Sequence, residues 1–211
     1  RVIVPTRAGK VYILDGNLDK KLGYPDDITD PDPVVGLISA SPVVGADGTI
    51  YIGDLNGKVH AFYEDAMGAL KSRWQVSAAD TTPIQFTTEG PVAAAAATAD
   101  GVLYLADGAV TADPLLGKRL YAVAGNYAAD PAAALKSKQL DGAAGGALTL
   151  DAIGNLLVTT EAASVYCFAP LVGDDDPLWQ WNTVTTGLMP KAMPLRTAPA
   201  PWLGNLVIVG G

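Results

Sequence analysis

An all-β repeat fold is what this sequence of 211 residues predicts, on three observations. Four segments share one pattern, a glycine followed by a short apolar strand: Gly48-Thr-Ile-Tyr-Ile, Gly101-Val-Leu-Tyr-Leu, Gly154-Asn-Leu-Leu-Val and Gly204-Asn-Leu-Val-Ile. Their glycines stand 53, 53 and 50 residues apart. The first three are followed by a further apolar run beyond polar turn residues, which is the layout of hairpins. A period near 50 residues marks one supersecondary unit stacked several times. Four antiparallel strands per unit describe the blade of a β-propeller.

Each element follows from its residues. Arg1 to Thr6 reads as a second strand and Gly9 to Leu14 as a third. Ser41 to Val44 opens the next unit, with Pro42 near the start, where no ladder donor is required. Ala46-Asp-Gly-Thr is a turn in which Gly48 is free to take positive φ. Ile50 to Asp54 is the second strand, and Leu55-Asn-Gly-Lys a tight hairpin whose Asn-Gly pair suits a type I′ turn. Lys58 to Phe62 is the third strand and Ser72 to Val76 the fourth.

The following units keep this order. Pro91 to Ala97 is alanine-rich and has helix propensity, yet it fills a first-strand slot ahead of the turn at Asp100-Gly101. A strand of small residues near the crowded centre of a ring is expected there. Val102 to Ala106 is the second strand; an insertion delays the third to Lys118–Val123, and Leu135 to Leu140 is the fourth. Ala147 to Leu150, Leu156 to Thr159, Ser164 to Phe168 and Leu178 to Trp181 make the next unit. Thr197 to Trp202 and Leu206 to Val209 begin another.

The expected organisation is one partial propeller over 1–211: a partial blade at 1–40, blades at 41–89, 90–144 and 145–195, and a partial blade at 196–211. A second strand is present at both ends, so the ends do not complete one another's blade. An incomplete ring is expected, its open edges covered by missing blades or by a partner. The chain opens on Arg1 rather than Met and shows no signal peptide, which suggests a mature, truncated or partly ordered piece of something larger.

Composition excludes several function classes. Apolar residues make up 49% and charged ones only 17%, which excludes disorder. No apolar run approaches the ~20 residues needed to span a bilayer. The net charge is −8, and the Lys and Arg residues do not cluster, which speaks against nucleic acid and against anionic lipid. The single Cys167 excludes an internal disulfide framework and an all-cysteine metal site.

The third strands carry a resemblance. Gly9-Lys-Val-Tyr-Ile-Leu, Gly57-Lys-Val-His-Ala-Phe, Gly117-Lys-Arg-Leu-Tyr-Ala-Val and Ala163-Ser-Val-Tyr-Cys-Phe are followed, best in Asp65 to Trp74, by a polar loop with Gly and then Trp. A weaker echo is Gly173 with Trp179. The pattern resembles the repeat of the pyrroloquinoline-quinone-like (quinoprotein alcohol dehydrogenase-like) propeller superfamily, which includes dehydrogenases and non-catalytic periplasmic assembly factors. A narrower likeness, over Tyr51 to Phe62, is to the propellers of type IV pilus tip adhesins, whose calcium loop has no counterpart here. The resemblance implies a propeller and leaves the function open, because one scaffold hosts enzymes and binding platforms.

Candidate chemistry is sparse. His60 is the only histidine, which removes two-histidine metal sites. It superposes on Tyr12, Tyr121 and Tyr166 and reads as a packed ring. Cys167 falls in the register slot of Ile13, Ala61 and Ala122, as a small buried thiol. Trp74, Trp179, Trp181 and Trp202 read as packing between blades. Asp26, Asp27, Asp30 and Asp32 cluster in one loop, and Asp174, Asp175 and Asp176 in another. Calcium takes six to eight oxygens from flexible loops, so Asp30, Asp32, Asp174 and Asp176 are its candidate ligands. Neither loop has the spaced pattern of a dedicated calcium site, and Pro31, Pro33 and Pro177 point instead to stiff, solvated turns. No other cofactor and no catalytic residue is expected. The quinone-dependent dehydrogenases of the resembled superfamily use a vicinal disulfide, which one cysteine cannot form.

The expectation is a non-catalytic, extracytoplasmic platform, in the periplasm or at the cell surface, that binds a protein partner or another propeller segment. Gly108 to Leu116 and Asn126 to Ala134 are its expected contact loops. The alternatives are a surface or pilus-associated adhesin propeller, and a fragment of a quinone-dependent dehydrogenase.

Overall fold

Nineteen short strands and no helix make up the described part of the computed structural model. The structure describes residues 2–6, 9, 11–18, 37–38, 40–66, 70–74, 84–110, 113–124, 136–170, 177–182, 200–202 and 206–208, with the side chains of 114–115 and 200–208 excepted. Among them no helix is long and apolar enough to cross a membrane.

Three larger sheets follow one another along the chain, each antiparallel. The first holds β3 (Val43–Val44), β4 (Ile50–Gly53), β5 (Lys58–Glu64) and β6 (Leu70–Ser72) in that order, with β7 (Phe86–Thr87) also on β5. The second holds β8 (Val92–Ala97), β9 (Val102–Asp107), β12 (Arg119–Ala124) and β13 (Lys136–Gln139). The third holds β14 (Thr149–Leu150), β15 (Leu156–Thr159), β16 (Ser164–Phe168) and β17 (Trp179–Asn182). Two-stranded sheets add β1 (Val2–Pro5) with β2 (Val11–Leu14), β10 (Ala109–Val110) with β11 (Asp113–Gly117), and β18 (Ala200–Trp202) with β19 (Leu206–Ile208). This is an all-β, propeller-like fold whose units are four-stranded antiparallel sheets.

The core lies between the sheets, and period-2 side-chain alternation builds it. On β9, Leu103 and Leu105 pack with Val59, Ala61 and Trp74 of the first sheet, while Tyr104 and Ala106 pack with Leu156 and Val158 of the third. On β12, Tyr121 and Val123 face the first sheet, and Leu120 and Ala122 the third. A further cluster joins Val11 and Ile13 of β2 to Ile50, Ile52 and Phe62 of the first sheet. Strands β4, β5, β9 and β12 therefore each serve two interfaces, which is why they read as nearly continuous apolar runs. The alanine run does form a strand: Ala94 and Ala96 enter one cluster, Ala95 and Ala97 the other. Small side chains on both faces let both neighbouring sheets come close.

The turns correct one expectation. Positive φ occurs at Gly48, Gly57, Gly101 and Gly154, but Asn56 is not among the positive-φ residues, so Asn56-Gly57 is not a type I′ turn. Gly57 N–H donates to the Asp54 carbonyl (3.2 Å) and Asp54 N–H to the Lys58 carbonyl (2.9 Å). That is a three-residue hairpin, a type I turn closed by a left-handed residue. Asp54 selects it, since its Oδ1 accepts the N–H groups of Asn56 (2.8 Å) and Lys58 (3.0 Å).

The first sheet's outer strand differs as well. β6 ends at Ser72 instead of starting there, and β7 takes up pairing with β5 through Lys58–Thr87 and Val59–Phe86. Ser72 Oγ donates to the Trp74 carbonyl (2.8 Å), and Ile84 N–H reaches the same carbonyl (3.1 Å), which turns the chain off the ladder at this point. Trp74 itself is fully buried between the first and second sheets, 5.8 Å from the Tyr51 ring.

Two substitutions separate turn strain from crowding. A Cβ at Gly48 meets nothing within 4 Å, whereas one at Gly57 comes within 2.8 Å of the Gly90 carbonyl oxygen and 2.9 Å of that of Thr88. Gly48→Ala is expected to cost about 1 kcal/mol from its left-handed conformation alone. Gly57→Ala is expected to cost clearly more, above about 2 kcal/mol, because backbone must also move. Urea midpoints of the two variants check this order.

Candidate binding surface

The second strand of each larger sheet ends on a polar residue that fastens the following hairpin. Asp54 does so in the first sheet. In the second, Asp107 Oδ1 accepts Arg119 N–H, and its Oδ2 accepts both Gly90 N–H (3.0 Å) and the Tyr121 hydroxyl (3.0 Å). Burial raises the Asp107 carboxyl above its ordinary value, against the pull of those hydrogen bonds. In the third sheet Thr160 stands in this place, and the acid comes from Asp141, which accepts the hydroxyls of Thr160 (2.9 Å) and Ser164. These carboxylates are structural: their donors are hairpin and strand groups.

His60 varies the theme. It occupies the register slot of Tyr121, is buried, and stacks on Phe62 with ring centroids 6.0 Å apart. Its Nε2 lies 3.6 Å from Asp54 Oδ2, and neither atom has a hydrogen-bond partner among the described residues. The shorter imidazole stops short of the carboxylate that the Tyr121 phenol reaches in the next sheet. Cys167 is buried, and burial pushes its thiol pKa up, further from the reactive thiolate.

A cleft of about 610 Å³ opens between the β1–β2 hairpin and the first sheet. Its apolar lining is Ile3, Ile13 and Ile50, with the exposed Val44 beside them. Its rim carries Asp47, Glu64, Asp65, Tyr63 and Arg73. Arg73 Nη2 sits 3.2 Å from Asp47 Oδ2, and its guanidinium lies 5.7 Å from the Tyr63 ring centroid. The Thr49 N–H holds the Asp47 carboxyl below its ordinary value, with Arg73 helping, so the rim acid is charged at neutral pH. The sequence reading missed this cleft. Asp65 and Arg73 sit in the polar loop that carries the repeat pattern, but nothing in their spacing shows that β2 packs opposite them.

The expected contact and calcium residues fare unevenly. Asp30, Asp32, Asp174 and Asp176 lie outside the described residues, as does the Asn126–Ala134 loop. Gly108 to Leu116 includes the β10–β11 hairpin, which pairs with none of the larger sheets, and Leu116 on it is exposed. Trp179 corrects the packing expectation: it is 40% exposed, on an outer strand with β16 on one side only. Trp181 is half-buried, and the Trp202 side chain lies outside the described part. Among the described residues no cluster of three or more His, Cys, Asp or Glu is grouped to hold a metal ion.

No family model matches the sequence, and no curated protein matches it. Among solved structures the chain is similar to the crystal structure of BamB from Moraxella catarrhalis, with a TM-score of 0.54 and 15% identity. The match covers 85% of this chain and 45% of BamB, so the chain spans less than half of that protein's length. Likeness at this identity carries the fold alone, a propeller-like one.

The buried tyrosines give a pH signature. Burial raises Tyr51, Tyr121 and Tyr166, the last to about 12. The folded state thus holds these protons more tightly than the unfolded chain, whose tyrosines titrate near 10. Their contribution is complete below pH 10 and is lost as pH rises through about 12. Tyr166→Phe removes the hydroxyl bonded by Gln180 and Asp141, and is expected to cost about 1 kcal/mol at pH 8. The wild type's advantage in urea midpoint should shrink above pH 10, where only the unfolded chain's Tyr166 ionises, and be gone before pH 12.

Proposed function

We propose that this chain is a non-catalytic protein-binding platform on a quinoprotein-like propeller, acting outside the cytoplasm in the periplasm or at the cell surface. The observation that carries the reading is how the polar groups are used. Asp107 and Asp141 are taken up by the hairpin and strand groups they fasten, while the β10–β11 hairpin pairs with none of the larger sheets and exposes Leu116. A rigid repeat core presenting an extra hairpin suits recognition, because loops held by a scaffold carry function. The likeness to BamB supports the propeller-like fold, and the third-strand pattern supports the quinoprotein-like branch. The contact surface in this reading is the segment 108–116 together with the 126–134 loop, and its partner is a protein or a further propeller segment.

Shortening both segments tests it. A variant with 109–116 replaced by a two-residue turn and 126–134 by a short Gly-Ser link should keep the urea midpoint within about 1 kcal/mol. It should lose the protein that wild type captures from a cell-envelope extract. Retention of the same partner by the folded variant removes these segments as the contact surface. Stoichiometric quinone in the purified protein removes the non-catalytic reading.

A further inference from the structure

Asn56-Gly57 is a motif that the platform reading does not use. Of the six asparagines in the chain, only Asn56 is followed by glycine. That order exposes an asparagine to its own backbone: the next nitrogen attacks the side-chain amide carbon, and a glycine there carries no Cβ to block the approach. Asn56 is exposed on the hairpin between β4 and β5, so water reaches its side chain. The Gly57 nitrogen is loosely held. Its N–H donates to the Asp54 carbonyl at 3.2 Å, the long end of the hydrogen-bond range, and that same oxygen also accepts Val92 N–H at 3.0 Å. By contrast Asn155, which precedes Leu156, has its side-chain amide on Asp151 Oδ2 (2.8 Å) and runs into a buried strand.

This hairpin is also a joint between two sheets. The Gly57 carbonyl accepts Thr88 N–H (2.9 Å), and the buried Thr88 hydroxyl lies between it (3.0 Å) and the Gly90 carbonyl (2.6 Å). Val92, the first residue of β8, bonds to the Asp54 carbonyl and lays its side chain over Gly53. The segment 53–57 of the first sheet thus carries the chain that enters the second. The joint is tight: a Cβ on Gly57 would come within 2.8 Å of the Gly90 oxygen.

We propose that Asn56 is a modification site, which deamidates in the folded protein and, as isoaspartate, loosens the joint between the first two sheets. The Gly57 nitrogen gives up its proton to water and bonds to Asn56 Cγ; the Cγ–NH2 bond breaks, and ammonia leaves. Water then opens the cyclic imide. Opening at Cγ leaves an aspartate; opening at the main-chain carbonyl carbon leaves an isoaspartate, whose main chain runs through Cγ and is longer by one CH2. The net change is one water taken up and one ammonia released. A lengthened link at 56–57 displaces the Gly57 carbonyl, and with it both Thr88 contacts, in a joint with no room to absorb the shift. The inference is independent of the platform reading.

Incubating the purified chain at mildly alkaline pH, folded and in urea, tests this. Peptide mapping locates acid and isoaspartate, and hydrogen exchange follows the amides of Thr88 and Val92. In the folded chain, conversion is expected to run severalfold faster at Asn56 than at any other asparagine. The aged protein should lose protection at Thr88 and Val92. Asn56→Gln should stay unconverted and keep that protection. Freshly made Asn56→Asp should keep it too, since the charge is there and the longer main chain is not.

Conversion at Asn56 in urea but not in the folded chain overturns the proposal, because the hairpin then shields the site. So does conversion no faster there than at the other asparagines. Isoaspartate at 56 with Thr88 and Val92 still protected removes the joint, as does equal loss of protection in fresh Asn56→Asp, which assigns the effect to charge.

Discussion

The inner strands β4, β5, β9 and β12 must each satisfy two neighbours at once. Leu103 and Leu105 look one way along β9, Tyr104 and Ala106 the other, and neither set has a surface of its own to hide against within its sheet. A four-stranded sheet with two apolar faces is not stable alone; it needs a sheet on each side. Burying a leucine or tyrosine is worth about 1.5–3 kcal/mol, so the stacked sheets supply most of the stabilisation. Hydrogen bonding within a sheet sets register and shape. The consequence is one-dimensional coupling, in which each sheet stabilises its neighbours and damage spreads along the stack.

That constraint explains where polar groups are allowed. Between two apolar faces a carboxylate is tolerable only when its lone pairs are taken up by hydrogen bonds. Asp107 meets this with Gly90, Arg119 and Tyr121, and Asp141 with two hydroxyls. Both bind the strand-to-strand turn to its own sheet, which fixes the turn before the next sheet packs on it. Asp54 keeps one oxygen on backbone donors, while the other faces His60 across 3.6 Å. Among the described residues the first sheet is therefore the least fully bonded of the three at this position, and it is also the sheet that borders the cleft.

Much of the fold was legible because alternation and spacing are local properties. The repeated glycines mark hairpin turns, and Gly48, Gly101 and Gly154 do take positive φ. The strand reading of Pro91 to Ala97 held because its position in the repeat outweighed alanine's helix propensity, and small side chains are what close sheet packing demands. Asn56-Gly57 misled, because the dipeptide's turn preference is weaker than the carboxylate beside it, and Asp54 draws two backbone N–H groups into the alternative turn. Trp179 misled for a different reason. Size argues for burial only where a neighbour exists to cover the ring, and local sequence does not say whether an outer strand is covered.

The cleft was illegible because the residues that line it are far apart in the sequence. Ile3 and Ile13 are separated by tens of residues from Asp47 and Arg73, and only sheet-on-sheet packing brings them together. Where β9 and β12 face their neighbours, leucine, valine, alanine and aromatic side chains make the contact. At the β1–β2 hairpin the apolar contact through Val11 and Ile13 is kept, but charged residues stand beside it. A salt-bridged, half-exposed Arg73–Asp47 pair contributes little to stability, about 0–1 kcal/mol, so folding alone does not account for the arrangement. Charged groups set around an apolar trough leave this meeting of the hairpin and the first sheet without a fully sealed interface.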